Sequence, residues 1–254
     1  MKIGLKIIES KFYLAKIYFK RLLFFFSNKA YAVQLVDDLL ETYSAKKKIV
    51  VLCNGPSANL CEPKENALYL VTNSGKRLVE NYDYLFYLND PLYVQRVLSN
   101  PNFLDDHAPI LFYYNHTELH KKNLNFLIRH IALLKKKKLY FLSSELKNVA
   151  SLKNFEQFIA FYEEKSLKVK VQNSGMFILL FGYYMAQKLN LPLEIYGLDM
   201  GEGGKRHFDG KGIIGSSVTE ERIKKNVKLY LDFMYSEYSK KIQNHSYFNS
   251  NLDI

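Results

Sequence analysis

Three groups of residues along this chain have the types and spacing to hold an anionic, hydroxyl-rich ligand. The first is a set of asparagines, Asn54, Asn73 and Asn89, each directly after a short apolar run, in Cys53-Asn54-Gly55-Pro56-Ser57, Thr72-Asn73-Ser74-Gly75 and Asn89-Asp90-Pro91. An asparagine amide offers both a donor and an acceptor, so it can read the edge of a base, a ribose or a sugar hydroxyl. Gly55 would let the backbone approach a ligand, with Ser57 capping the next segment, and Pro56 counts with them among the candidate ligand-binding residues. Turn formation accounts for any one of these stretches taken alone. Three asparagines closing successive runs call for a shared role.

The second group is Gln172-Asn173-Ser174-Gly175, ahead of a long uncharged stretch at 176–187. Free N–H groups at a helix start, with the Ser174 hydroxyl, make an anion site; the alternative is an ordinary cap on a buried helix. The third is the glycine-rich run from Gly197 to Asp209, which holds Asp199, Lys205, Arg206, His207 and Asp209. Lys205 and Arg206 suit an anion, Arg206 bidentately. His207, Asp199 and Asp209 are the candidates for a proton acceptor; an unperturbed histidine titrates near pH 6.5, whereas an aspartate needs a raised pKa to serve as well. The competing view is a surface loop with solvated charges.

Other patterns carry less. His116 and His120 form His-x-x-x-His, but Thr117 stands where a zinc protease needs glutamate, which favours a solvated helix face. The Gly-x-Gly-x-x-Gly dinucleotide fingerprint is missing after the first apolar run. The many tyrosines and phenylalanines follow strand and helix periodicity, which makes them core rather than a nucleic-acid platform.

What must position these groups is a series of short apolar runs at 49–53, 67–72, 84–88, 110–114, 139–142 and 193–198, read as strands. Helix-like stretches lie between or after them at 76–81, 91–98, 118–134, 151–164, 175–189 and 219–242. Strands nearly continuous in apolar residues and alternating with helices predict an α/β, Rossmann-like, mostly parallel sheet covered on both faces. In such a sheet ligands bind at the carboxyl ends of the strands, where all three groups fall. The tail at 244–254 is polar with little periodicity and reads as a loose end, and the lysine run 135–138 as a solvated turn.

Residues 1–44 differ from the rest. Ile3, Ile7, Ile8, Phe12, Ala15, Phe19, Leu22, Leu23 and Phe26 recur near helical spacing among Lys2, Lys6, Lys11, Lys16, Lys20 and Arg21. This predicts a basic amphipathic helix, lying on anionic lipid through residues 1–30 or packed against the domain or a dimer partner. Residues 45–254 form the expected catalytic domain. No apolar run at the N-terminus approaches the roughly 20 residues of a membrane span, and the order of charge, apolar run and cleavage site of a signal peptide is missing. The formal net charge of +11 points to an anionic partner, and the two cysteines, Cys53 and Cys61, to a reducing compartment without a disulfide framework. These features together imply a cytoplasmic location at the inner face of the plasma membrane.

The ordered set Asn54-Gly55-Pro56-Ser57, Asn73, Asn89, Ser174-Gly175 and Gly197-Leu198-Asp199 resembles the family 42 bacterial sialyltransferases and the related lipopolysaccharide-core Kdo transferases. The resemblance extends over about 47–209. It implies a modified Rossmann fold called GT-A-like for these enzymes, a CMP-linked acidic sugar as donor substrate, inversion at the anomeric carbon, and no metal or other cofactor. Asn54, Gly55, Asn73, Asn89, Ser174 and Gly175 would then be donor-site residues. Arg206-His207-Phe208-Asp209 is similar to an Arg-aromatic-aromatic-Asp stretch of the Kdo transferases. The sialyltransferases carry phosphate-binding tyrosines after the Gly-x-Asp strand, where this chain has glycines with Lys205 and Arg206. Their catalytic histidine comes from a later segment, and the only histidine after His207 here is His245. The acceptor implied is a lipopolysaccharide or other surface glycan, with no nucleic-acid partner; a homo-oligomer remains open. The alternatives are a nucleotide-binding pyrophosphokinase-like enzyme on a related fold, which should need Mg²⁺, and a non-catalytic membrane-surface scaffold.

Overall fold

The computed structural model describes residues 35–88, 110–114, 139–143, 174–202, 208, 218–238 and 241–248. Seven strands form one sheet: β1 (Lys48–Leu52), β2 (Ala67–Thr72), β3 (Tyr84–Leu88), β4 (Ile110–Tyr114), β5 (Leu139–Ser143), β6 (Leu193–Tyr196) and β7 (Ile242–Asn244). Their spatial order is β5-β4-β3-β2-β1-β6-β7, and every neighbouring pair is parallel. This is the α/β, Rossmann-like sheet that the alternation of apolar runs predicts. Strands are added outward from β1 in one direction through β5, and β6 then returns to the other side of β1. The switch point of the sheet therefore lies between β1 and β6, where the loops leaving the two strands diverge and ligands characteristically bind.

Three helices are described: α1 (Leu35–Thr42), α2 (Ser174–Leu189) and α3 (Val218–Tyr238). α2 has no charged residue before Lys188, and everything from Met176 to Ala186 is buried. A helix apolar all round belongs inside a core. Its approach to the sheet depends on Gly182, where an added Cβ would lie 2.5 Å from Val51 Cγ2 and 3.1 Å from Leu70 Cδ1. Near its start, Phe177 stacks on Tyr87 at the end of β3, with ring centroids 4.5 Å apart. Just past its other end, the Leu191 carbonyl accepts from the hydroxyl of Tyr238, the last residue of α3, at 3.3 Å, two residues before β6 begins. α2 thus runs against the strands, and its first turn lies at their carboxyl edge. α3 is amphipathic, burying Val227, Tyr230, Leu231 and Met234 at helical spacing.

Several boundaries depart from the sequence expectations. Residues 76–81 are not an α-helix; the chain makes a 3₁₀ turn over Asn73–Leu78 and is in turns after it. The cause is at its start, where Asn73 takes a left-handed φ of 46° and the Gly75 N–H donates to the Asn54 side chain rather than into a helix. The helix expected at 219–242 stops at Tyr238, and Ile242 opens β7, which pairs with β6 in the register Leu193 with Ile242. The tail is consequently not a loose end up to Phe248. Near the N-terminus, Leu39 and Tyr43 are buried in the core, and α1 contacts α2, so the end of the 1–44 region packs with the domain. Residues 1–34, the helices expected at 91–98, 118–134 and 151–164, the run 135–138 and His116 and His120 lie outside the described residues. No described helix is long and apolar enough to cross a membrane.

Candidate functional site

At the switch point, three loops meet on one buried carboxylate. Asp199 is 1% exposed, in the loop after β6. Its Oδ2 accepts from the Ser57 backbone N–H at 2.7 Å, and its Oδ1 from the Ser57 hydroxyl at 2.5 Å and the Tyr247 N–H at 2.7 Å. Hydrogen bonds to a charged acceptor contribute about 1.5–3 kcal/mol each, and three of them offset the cost of burying the charge. The Ser57 hydroxyl accepts in turn from the Gly197 N–H at 2.8 Å, and the Ser246 hydroxyl accepts from the Leu198 N–H at 3.0 Å. The loops following β1, β6 and β7 are thereby tied into one unit.

Two glycines make room for this tie. A Cβ on Gly55 would stand 2.3 Å from Asp199 Oδ2 and 2.7 Å from the Gly197 carbonyl oxygen. Gly197 has φ +71°, and a Cβ there would lie 2.5 Å from the Cys53 carbonyl oxygen. The group approaching Gly55 is therefore the chain's own carboxylate rather than a ligand. Ser57, expected as a helix cap, makes no capping bond: the short 3₁₀ helix Pro56–Leu60 has Gly55 at its N-cap, Pro56 opens it, and the serine hydroxyl is engaged by Asp199. The same environment silences Cys53, whose thiol is pushed up to about 12 by burial and by the Asp199 carboxylate.

Beside the tie, on the β2 side of β1, the polar groups are arranged differently. Asn54 is buried, its Oδ1 accepts from the Gly75 N–H at 3.1 Å, and its amide nitrogen is left unused by that bond. Asn73 and Ser74 are half-buried at the start of the next turn. The loop after β6 also returns here, because the Phe208 N–H donates to the Asn54 carbonyl oxygen at 2.8 Å. That loop is thus fastened twice to the turn after β1, by Asp199 to Ser57 and by Phe208 to Asn54. It opens in a tight turn in which the Glu202 N–H donates to the Asp199 carbonyl oxygen, with Met200 at φ 49° and Gly201 at φ 89° between. A methionine in the left-handed region costs about 1–2 kcal/mol, and strain of this kind gathers at functional sites.

Of the residues singled out in the sequence, the structure brings together Asn54, Gly55, Pro56, Ser57, Asn73 and Asp199, and sets the Ser174-Gly175 start of α2 on the same edge of the sheet. Asn89, Asn173, Lys205, Arg206, His207 and Asp209 lie outside the described residues. His245 stacks on Tyr196 with centroids 4.5 Å apart and an angle of 13°, and its backbone N–H donates to the Ile195 carbonyl. Sequence reasoning missed Ser246 and Tyr247. A signal was present, because Asn244 precedes Ser246 by the spacing of a side-chain-closed turn: its Oδ1 accepts from the Ser246 N–H and its Nδ2 donates to the Phe248 carbonyl, both at 3.0 Å.

A second polar cluster occupies the sheet face opposite α2. Lys48 Nζ pairs with Glu194 at 2.7 and 2.9 Å, and the Tyr196 hydroxyl donates to the same carboxylate at 3.3 Å. Burial, and then Glu194, push the Tyr196 hydroxyl well above its ordinary range. Cys61 is pushed up to about 11, chiefly by burial and then by Glu194. Protonated groups in an internally matched ion pair favour a structural role for this cluster. Among the described residues no group of three His, Cys, Asp or Glu side chains is placed to hold a metal ion.

The class of molecule defined so far is a parallel α/β protein with a polar, glycine-dependent site at the switch point of its sheet. Comparison of the chain with protein-family models, with curated proteins and with solved structures gives no match.

Proposed function

We propose that this protein is a glycosyltransferase that moves an acidic ulosonic sugar, Kdo or a sialic acid, from a CMP-activated donor to a lipopolysaccharide or other surface-glycan acceptor, with inversion and without a metal. The observation that carries the reading is the double fastening of the loop after β6 onto the turn after β1. Phe208 is bonded to Asn54, and its neighbours in sequence are His207 and Asp209. Phe208, which lies between two of the candidate residues in sequence, is therefore the point at which that loop meets the asparagine heading the polar strand ends.

In this reading Asn54, Asn73 and Asn89 serve the nucleoside through their amides. Asn173, Ser174 and Gly175 offer N–H and hydroxyl donors at the start of α2. A metal-free departure of CMP needs donors and cations on the leaving phosphate, and Lys205 and Arg206 supply the charge. His207 takes the proton of the acceptor hydroxyl, with Asp209 its partner or substitute. Asp199 is the least suited of the three to that task, because its oxygens already accept three hydrogen bonds. Residues 1–30 would hold the enzyme at an anionic membrane face on the cytoplasmic side.

The test is incubation of the full chain with CMP-Kdo and with CMP-sialic acids, following released CMP by mass spectrometry, alongside calorimetric titration with CMP. Asn54→Ala and Asn73→Ala should each weaken CMP binding by about 1–3 kcal/mol. Affinity unchanged in both would remove the nucleotide from this edge of the sheet, and CMP release that depends on added Mg²⁺ would favour the kinase-like alternative.

A further inference from the structure

We infer that Tyr247 is a ligand-contacting residue of the switch-point site, offering its ring to the cytosine of the donor, and that Asp199 is the positioning residue that fixes it there. The inference rests on the CMP-donor reading of that site. Leu60 and Tyr247 are the large hydrophobic residues left exposed among the described residues, at 55% and 48%. Both stand on loops that leave the carboxyl edge, Leu60 at the end of the 3₁₀ turn after β1 and Tyr247 just past β7. An exposed aromatic is ordinary on a surface, but the backbone of this one is held with unusual care. Its N–H donates to a carboxylate 1% exposed, and the preceding Ser246, itself 3% exposed, receives the Leu198 N–H.

A buried charge committed to the main chain of an exposed aromatic residue fixes the starting point of its ring while leaving the ring available to solvent. Core packing would give the opposite, a buried ring. The same carboxylate reaches Ser57, in the turn headed by Asn54, so the tyrosine is anchored to the unit that carries the proposed nucleoside contacts. The base is the one aromatic part of a CMP-linked donor. Amides such as that of Asn54 satisfy its edge, and its faces are left to be covered by a flat apolar surface, which a tyrosine supplies.

Calorimetric titration of the full chain with CMP tests this in wild type, Tyr247→Phe, Tyr247→Ala, Asp199→Asn and the Asp199→Asn/Tyr247→Ala pair. Tyr247→Ala should weaken CMP binding about tenfold or more with an unchanged Tm, and Tyr247→Phe, which keeps the ring, should stay within about twofold of wild type. If Asp199 acts through Tyr247, the double variant binds no more weakly than Asp199→Asn; additive losses would overturn the positioning role. Should Asp199→Asn fail to fold, the two Tyr247 variants still decide, since they alter an exposed side chain. Wild-type affinity in Tyr247→Ala overturns the inference alone, whereas a wild-type chain that binds no CMP overturns the functional reading and the inference with it.

Discussion

Two sides of the same strand end use similar residues for opposite purposes. Toward β6 and β7, the turn after β1 is closed on itself: Ser57, Gly197, Leu198 and Tyr247 all direct a donor into the tie around Asp199 or Ser246. Toward β2, the Asn54 side chain is tied to the Gly75 N–H alone among the described residues, while Asn73 is half-buried in a left-handed conformation. The difference separates groups locked into the strand edge, the Tyr247 N–H among them, from those that are not. A glycine or serine at a strand's carboxyl end belongs to the first class when a buried charge elsewhere in the chain answers it.

The comparison can be broken most severely at Gly55. Gly55→Ala places a methyl group 2.3 Å from Asp199 Oδ2 and close to the Gly197 carbonyl, both held in place, so the tie must open. Loss of about 3–5 kcal/mol is expected, measured by urea denaturation, and a stable Gly55→Ala protein would show that the two loops are not locked. Next is Asp199→Asn, which replaces one acceptor oxygen with a donor that faces N–H and O–H groups. About 2–4 kcal/mol should be lost, with faster hydrogen exchange at the Ser57 and Tyr247 amides, whereas the Gly75 amide, bonded to Asn54, should be little altered. Equal acceleration at all three would mean that the two sides are one cooperative unit. The mildest test uses the thiols. Burial and Asp199 hold Cys53 protonated with a pKa of about 12, while Cys61 is partly exposed and pushed up to about 11. Below pH 9 both should alkylate slowly with iodoacetamide, Cys61 before Cys53, and Asp199→Asn should speed Cys53; the reverse order by peptide mass spectrometry would place the switch point in solvent.

The sheet was legible because parallel strands buried on both faces leave an unbroken apolar signature, and the bounds Ala67–Thr72, Tyr84–Leu88 and Ile110–Tyr114 are those the runs predict. β7 left no such mark. It is a short edge strand in which only Ile242 is buried, and Ile242 reads as the end of the preceding helix and Asn244 as the start of the tail. The site was legible as a set of strand-end turns but not as a partition of roles. That Ser57 answers Asp199 depends on β1 and β6 lying side by side, and no local spacing encodes a pairing between residues so distant in sequence. Nor could composition show that the object near Gly55 is a carboxylate of the chain itself.

That tie also sets an order in time. Ser57 and Asp199 are 142 residues apart, and Tyr247 comes 48 residues after Asp199, so neither contact can form by local closure. During synthesis β1 must wait for β6 before Asp199 meets its serine, and the aspartate lacks its last donor until β7 has joined the edge. Contacts of such long sequence separation make folding slow and leave partly assembled sheets with an open edge. The tie at the switch point can therefore close only once both β6 and β7 are in place.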